Sequence, residues 1–146
     1  MSQVYAATER VLEASPERVY EALADYRETR PRLLPDQYSE YEVRLGGVGA
    51  GTQAHWKLQA TEKRVRDCLV TVSEPTPGRL VETDANSSMV TTWTVTPAGE
   101  GKAKVVVEAT WQGAGGIGGF FERTFAPKGL NRIHGQVLER LAAEVG

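Results

Sequence analysis

Hydrophobic side chains recur at every second position from about residue 38 to residue 111, and this repeat limits the chain to folds built on a sheet. A period of two belongs to a β-strand that buries one face, whereas a helix repeats every 3.6 residues. The pattern predicts strands over 38–45, 51–58, 62–74, 79–84, 88–97 and 101–111. The links between most of these segments are short, so successive strands are predicted to pair antiparallel as a meander.

The alternation also assigns the side chains of these strands to an apolar face and a polar face. On the apolar face lie Ala54, Trp56 and Leu58 of one strand, Met89, Thr91, Trp93 and Val95 of another, and Val105, Val107, Ala109 and Trp111 of the last. All three tryptophans fall on apolar faces, which is typical of a sheet covered on one side. Pro77-Gly78 fits the centre of a type II turn, because proline presets the first backbone angle and glycine accepts the positive second one.

Two segments outside this region have the signals of helices. ASPERVYEALADY (14–26) begins with a good N-cap, Ser15, followed by Pro16 at a position where helices tolerate proline. The C-terminal segment carries a wide apolar stripe made of Leu130, Ile133, His134, Val137, Leu138 and Leu141. Because proline interrupts a helix, Pro127 is predicted to separate a short helix over 117–125 from a longer one that begins near residue 127.

A first strand over 3–13 and a short helical turn carrying Leu33 and Leu34 complete the predicted order of elements. Helices that flank a run of antiparallel strands make an α+β fold. No change of composition divides residues 1–146, so we expect a single domain.

Charge and cysteine content exclude several classes of function. The formal net charge is −2, which gives no electrostatic reason to expect binding to nucleic acid or to an anionic membrane. No segment has the roughly 20 apolar residues of a membrane span. The first ten residues lack a basic segment followed by an apolar one, so we expect no signal peptide and a cytoplasmic protein. Cys68 is the single cysteine, which excludes an internal disulfide.

The stretch GAGGIGGFFERTF (113–125) contains the spacing G-x-G-x-x-G at Gly113, Gly115 and Gly118. This spacing binds dinucleotides only inside a βαβ unit, where a parallel strand follows the helix. Here the pattern after Gly118 is helical as far as Gly146, and the preceding strand belongs to an antiparallel meander. We therefore expect no NAD or other nucleotide cofactor. The glycines are interpreted as a hinge, or as a gate at the mouth of a pocket.

The groups that most often carry chemistry are few and separated. The chain has two histidines and one cysteine, without the spacing of a metal site, so we expect no metal. His134 is the histidine on an inward face; it is interpreted either as a core histidine satisfied by a tyrosine or carbonyl, which is favoured, or as a polar anchor or acid/base group in an apolar pocket. His55 alternates with Gln53 and Lys57 and is expected to be solvated. No catalytic residue is assigned.

Two further groups have ordinary structural interpretations. Cys68 alternates with Val70 and Val72 in a strand and is expected to be a buried, inert thiol. Arg27, Arg30 and Arg32 could form an anion site, but a solvated face is the favoured interpretation.

The order of elements resembles that of the START-related lipid-transfer superfamily, also called SRPBCC, and its bacterial polyketide cyclase/dehydrase-like branch. The segments that carry the resemblance are ASPERVYEALADY, RLGGVGAGT, EPTPGRLVE and TTWTVTPAGEGKAKVVVEATW. The resemblance implies a helix-grip fold, in which a curved antiparallel sheet of six to seven strands wraps a long C-terminal helix and leaves an apolar cavity. It implies that the following residues lie near the cavity or its mouth: Trp56, Met89, Trp93, Trp111, Phe120, Phe121, Phe125 and His134.

Three functions follow from this resemblance. The favoured one is binding of a small hydrophobic ligand, such as a lipid or a polyketide-like compound, in the cavity. The others are a cyclase or dehydratase on the same scaffold, which would use a carboxylate or tyrosine beside His134, and a partner-binding accessory module. An enzymatic activity is thus left open with binding preferred, and no oligomeric state is implied.

Overall fold

Seven strands form one sheet whose order follows the chain, except that the first strand is added beside the last. The computed structural model describes the backbone of residues 3–61, 64–113 and 116–146, and their side chains except at 60–61 and 116–125. The elements are β1 (Gln3–Leu12), α1 (Pro16–Ala24), α2 (Thr29–Leu33), β2 (Tyr38–Leu45), β3 (Gln53–Thr61), β4 (Arg64–Ser73), β5 (Arg79–Asp84), β6 (Val90–Pro97), β7 (Ala103–Gln112) and α3 (Gly116–Val145).

The sheet order is β1-β7-β6-β5-β4-β3-β2, and each neighbouring pair is antiparallel. The predicted meander from the second strand to the last is therefore confirmed, as is the α+β class. The observed strands differ from the predicted ones by a few residues at their ends. Residues 62–63, which the prediction placed at the start of a strand, lie outside the described part of the chain.

Helix α1 begins where the sequence predicts it. The Ser15 hydroxyl accepts a hydrogen bond from the Arg18 amide at 3.2 Å, which satisfies one of the amides that a helix leaves free at its first turn. Val19, Ala22 and Leu23 are buried on the side that faces the sheet and α3. The cap thus fixes where the helix starts, and the apolar face fixes which side is buried.

Pro127 does not end a helix, so the predicted division of the C-terminal segment is wrong. Helix α3 continues through Pro127 from Gly116 to Val145. A proline in a helix interior costs about 3 kcal/mol, whereas full burial of one aliphatic side chain stabilises by about 1.5–3 kcal/mol. The buried apolar residues that follow the proline are Leu130, Ile133, Val137, Leu138 and Leu141. The free energy gained by burying these side chains together exceeds the free energy lost through the proline.

The glycine-rich stretch leads from β7 into α3. In the described chain no strand follows α3, so the βαβ unit that a dinucleotide site requires is absent there. Residues 114–115 lie outside the described backbone, and Gly116, Gly118 and Gly119 belong to the first turn and a half of α3. The interpretation of this stretch as a hinge or gate stays a prediction.

The turn between β4 and β5 has the predicted geometry. The Arg79 amide donates to the Thr76 carbonyl at 3.2 Å, and Gly78 has a φ of 79°, as the third residue of a type II turn requires. A Cβ at Gly78 would lie 2.7 Å from the Val95 carbonyl oxygen of the adjacent strand β6. Glycine is therefore needed here for its positive φ and also for the close approach of β6.

These two requirements can be separated by comparing Gly78→Ala with Gly101→Ala. Gly101 has a similar φ of 69°, but a Cβ there would meet no atom within 4 Å. Both variants lose about 1 kcal/mol from the left-handed backbone, and we expect Gly78→Ala to lose roughly 1–3 kcal/mol more from the clash. Urea unfolding of the two variants measures the difference. Equal losses would mean that the turn moves away from β6 without cost.

Candidate ligand-binding site

A small cavity lies between the apolar face of the sheet, the segment around α2 and helix α3. Its volume is about 30 Å³, enough for roughly two water molecules. Its lining is half polar: Tyr26, Arg30, Tyr38, Tyr41, Glu82, Asp84, Thr91 and His134 on the polar side, and Leu34, Trp56, Leu58, Cys68, Val70, Met89, Trp93 and Leu130 on the other. A larger guest would therefore need the walls to separate.

The residues that the family resemblance placed near the cavity fall into three groups. Trp56, Met89, Trp93 and His134 line the cavity and come from β3, the start of β6 and α3. Trp111 is buried in the neighbouring apolar cluster, with the Arg66 guanidinium 5.7 Å from the centre of its ring. The side chains of Phe120, Phe121 and Phe125 lie outside the described residues.

A buried ion pair between Arg30 of α2 and Glu82 of β5 forms one wall of the cavity. Each side chain is only 4% exposed, and the Arg30 NH2 group donates to Glu82 Oε2. Arg30 Nε donates to the Leu23 carbonyl at 2.9 Å, and the Tyr26 hydroxyl donates to the same Glu82 oxygen at 2.5 Å. Burial raises the pKa of Tyr26 and the Glu82 charge raises it further, so the phenol remains a neutral donor.

The Arg30 guanidinium also lies against two aromatic rings. Its central carbon is 4.6 Å from the centre of the Tyr26 ring and 4.8 Å from that of Trp93. Aromatic faces attract cations through their negative quadrupole, and this attraction is strongest where water is excluded. The ion pair therefore fixes Tyr26 and Trp93 together with the two charged side chains.

This arrangement corrects the expectation that the three arginines form a solvated face. Arg27 and Arg32 are exposed; Arg27 donates to the Gly46 carbonyl, and Arg32 pairs with Glu144 at 2.9 Å. Arg30 alone turns inward, because Glu82 supplies a buried counter-charge. The sequence contained one signal for this: Glu82 alternates with Leu80 and Asp84 in a strand whose inward positions are buried. A carboxylate at such a position requires a buried partner.

Asp84 is the second carboxylate of the cavity, two residues from Glu82 on the same face of β5. Its Oδ1 accepts from the amides of Leu69 at 2.9 Å and Asn86 at 3.1 Å, and its Oδ2 accepts from the Ser87 hydroxyl at 2.6 Å. These bonds hold the carboxylate at the turn between β5 and β6. Neither oxygen of Asp84 is left without a donor.

His134 reaches the cavity from α3 and is 5% exposed. Its ring meets Trp93 edge to face, with ring centres 5.6 Å apart. Burial, with the nearby charge of Arg30 adding to the effect, lowers the pKa of His134 to about 4, so the imidazole is neutral at pH 7. The interpretation of His134 as a core histidine satisfied by a tyrosine or carbonyl stays a prediction.

Trp93 also has an unused polar atom. Its Nε1–H is buried and has no hydrogen-bond acceptor among the described residues. Leaving a buried donor unpaired costs about 1–3 kcal/mol, so such groups are uncommon unless something else pairs with them. The Trp93 Nε1–H thus remains available to a hydrogen-bond acceptor in the cavity.

The opposite wall is aromatic. Tyr41 stacks on Trp56 with ring centres 6.0 Å apart and planes 4° from parallel, and Tyr38 meets Trp56 edge to face at 6.2 Å. The Tyr41 hydroxyl donates to the Tyr26 carbonyl at 2.5 Å, which ties β2 to the end of α1. Flat, parallel rings of this kind favour a flat apolar guest.

The remaining candidate groups lie in ordinary surroundings. Burial raises the pKa of Cys68 to about 12, so its thiol is protonated and inert, as expected. His55 was expected to be solvated, but only 13% of its side chain is exposed, because it bonds Asp67 at 2.7 Å and the Glu40 carbonyl at 3.2 Å. Among the described residues, no three metal-binding side chains come together.

A curved antiparallel sheet around a long C-terminal helix, with a cavity between them, is the architecture that the resemblance implied. A sequence profile of the family described as polyketide cyclase/dehydrase and lipid transport matches residues 3–146. The chain belongs to this family. The helix-grip fold is therefore confirmed, and family and fold together point to hydrophobic ligand binding or a cyclase-like role. No described helix is long and apolar enough to cross a membrane.

Several solved structures are similar over nearly the whole chain. KanY is 51% identical, with 99% of each chain covered and a TM-score of 0.89. A START superfamily protein from Mycobacterium smegmatis is 12% identical, with 97% and 96% covered and a TM-score of 0.74. The Zhui aromatase/cyclase of a Streptomyces species is 12% identical, with 99% and 94% covered and a TM-score of 0.73. The last two show the fold alone. A search of curated proteins gave no match.

The buried, neutral His134 predicts a specific pH dependence of stability. Its pKa is near 4 in the folded state and near 6.5 when unfolded, so the unfolded chain binds the proton first. The contribution of neutral His134 to the free energy of unfolding is therefore fully present above pH 6.5. It is lost as the pH is lowered towards 4, which reduces the free energy of unfolding by up to about 3 kcal/mol. We expect His134→Gln to lose less free energy of unfolding between pH 7 and pH 4.5 than the wild type. Urea unfolding at both pH values measures this, and parallel losses would contradict it.

Proposed function

We propose that the protein binds a small, flat, largely apolar molecule that enters between the sheet and α3, with a polar atom directed at Trp93 and His134. The observation that carries the proposal is the buried Trp93 Nε1–H, which has no hydrogen-bond acceptor among the described residues and belongs to a cavity with a stacked aromatic wall. A ligand oxygen placed there would give this donor the hydrogen bond that the described protein residues do not supply. The family description, which includes lipid transport, supports the same function.

Binding requires the cavity to widen, since about 30 Å³ does not hold a molecule larger than water. Met89, just before β6, and Leu130 of α3 both line the cavity. Methionine has three rotatable bonds and repacks at low cost, so it is suited to a wall that moves. We infer that the structure represents the closed form of the site.

The electrostatics of the cavity favour binding over acid/base catalysis. A general base works best with a pKa near the working pH, but the pKa of His134 is near 4. Glu82 is paired with Arg30 and already accepts a hydrogen bond from the Tyr26 hydroxyl. A cyclase or dehydratase activity therefore remains the second candidate. The inferred ligand carrier would be a cytoplasmic protein, in keeping with its single free cysteine.

The neutral dye N-phenyl-1-naphthylamine tests the proposal, since its emission rises in an apolar site. We expect wild-type protein to bind it with 1:1 stoichiometry. Thr91→Phe fills the cavity from β6 and should weaken binding at least about tenfold, because the added ring occupies the space that the dye needs.

The matched control is Thr92→Phe, the same substitution at the next residue, whose side chain points to the opposite face of the sheet. It should bind the dye like the wild type. Thermal melts of both variants verify that they are folded. Absence of dye binding by the wild type, or equal affinities of the two variants, would refute the proposed site.

A further inference from the structure

The charges around the cavity point to a class of ligand, an inference that rests on the proposed function. We propose that the site selects an uncharged ligand whose oxygen accepts a hydrogen bond, such as a ketone or a phenol, and that it discriminates against carboxylates. Two observations support this selectivity: the fixed charges of the lining, and the buried Trp93 donor that has no acceptor among the described residues.

The fixed charges of the described lining sum to −1. Arg30 contributes one positive charge and is paired directly with Glu82, while Asp84 contributes a second negative charge without a cation opposite it. Burial keeps the other titratable groups neutral: it raises the pKa values of Tyr26, Tyr38, Tyr41 and Cys68 and lowers that of His134. A ligand carboxylate would add a further negative charge to this enclosed space, where repulsion is poorly screened.

The hydrogen bonds lead to the same class. Both oxygens of Asp84 already accept bonds, whereas the Nε1–H of Trp93 is a buried donor without an acceptor. A ligand oxygen that accepts a hydrogen bond from the Trp93 Nε1–H would therefore stabilise the complex. Because the lining already carries a net negative charge, this oxygen is expected to belong to an uncharged group. The neutral imidazole of His134, against the Trp93 ring, can pair with the same oxygen or with a hydroxyl hydrogen on it.

Cations are also disfavoured, although the net charge is negative. The faces of Tyr26 and Trp93, which would otherwise attract an ammonium or amidinium ligand, are next to the Arg30 guanidinium at 4.6 and 4.8 Å. A second cation there would repel the first. The site is thus expected to prefer a neutral molecule over ions of either sign.

Four naphthalene derivatives of nearly equal size test this preference by displacing N-phenyl-1-naphthylamine at pH 7.5. The probes are 2-acetylnaphthalene (neutral acceptor), 2-naphthoate (anion), 2-naphthamidine (cation) and 2-isopropenylnaphthalene (neutral, without an acceptor). We expect 2-acetylnaphthalene to bind at least about tenfold tighter than either ion. It should bind about two- to tenfold tighter than the isopropenyl compound, which corresponds to one hydrogen bond.

Substitutions identify the groups responsible. Asp84→Asn should strengthen binding of 2-naphthoate relative to that of 2-acetylnaphthalene about fivefold or more. Asp67→Asn, which removes the same charge from a carboxylate that is 54% exposed beside His55, is the matched control and should leave this ratio unchanged. Trp93→Phe should remove the difference in affinity between 2-acetylnaphthalene and the isopropenyl compound.

The outcomes separate the inference from the proposed function. If neither the dye nor any of the four probes binds, the proposed function and the inferred selectivity are both wrong. If the dye binds and 2-naphthoate displaces it as well as 2-acetylnaphthalene does, the selection of neutral ligands is wrong while ligand binding stands. The wild-type ranking decides this even if Asp84→Asn does not fold. If Asp84→Asn and Asp67→Asn change the affinity for 2-naphthoate equally, Asp84 is not responsible for the discrimination against carboxylates.

Discussion

The buried ion pair between Arg30 and Glu82 is the interaction on which the arrangement of the cavity depends. Removing two charges from water costs several kcal/mol for each ion, so such a pair persists only where further hydrogen bonds complete it. The Leu23 carbonyl and the Tyr26 hydroxyl supply these bonds, and the rings of Tyr26 and Trp93 flank the guanidinium. The end of α1, helix α2, β5 and β6 must therefore keep one relative position. The pair is better understood as fixing this geometry than as adding stability.

The cavity lies where the apolar core changes composition. One buried cluster joins α1 to β6, β7 and the last turns of α3, and a second joins β1, β3 and β4 to the middle of α3. Between the two clusters lie three buried polar side chains of β5 and β6: Glu82, Asp84 and Thr91. Polar side chains cannot be packed against each other as densely as aliphatic ones without partners. The small gap and the unpaired donor of Trp93 occur at this boundary.

The same boundary explains why the site suits binding better than proton transfer. Arg30 is close enough to His134 to oppose its protonation, and burial has the larger effect in the same direction. The buried carboxylate of Glu82 already accepts hydrogen bonds from two donors. The groups that could act as acid or base are thus held in one protonation state, whereas the hydrogen-bonding groups that remain are suited to hold a neutral oxygen.

Local features of the sequence were sufficient for the elements of the fold. Ser15 and Pro16 identified the start of α1, Pro77-Gly78 identified a turn, and alternation placed all three tryptophans on the buried face. Each of these follows from interactions within a few residues, so a pattern can reveal them. The family resemblance added the helix-grip arrangement. Pro127 was misjudged, because its local cost is smaller than the gain from packing the residues that follow it.

The sequence by itself determined the antiparallel meander from β2 to β7, the apolar face and the stripe of α3, since these depend on periodicity and short links. Only the tertiary structure decided which polar groups became buried. Arg30 and Glu82 are 52 residues apart, and no local pattern distinguishes an arginine that meets a buried carboxylate from one that faces water. The charge of the cavity depends in part on that long-range contact, whereas the lowered pKa of His134 follows chiefly from its burial. They depend on burial and distance, which are properties of the packed chain.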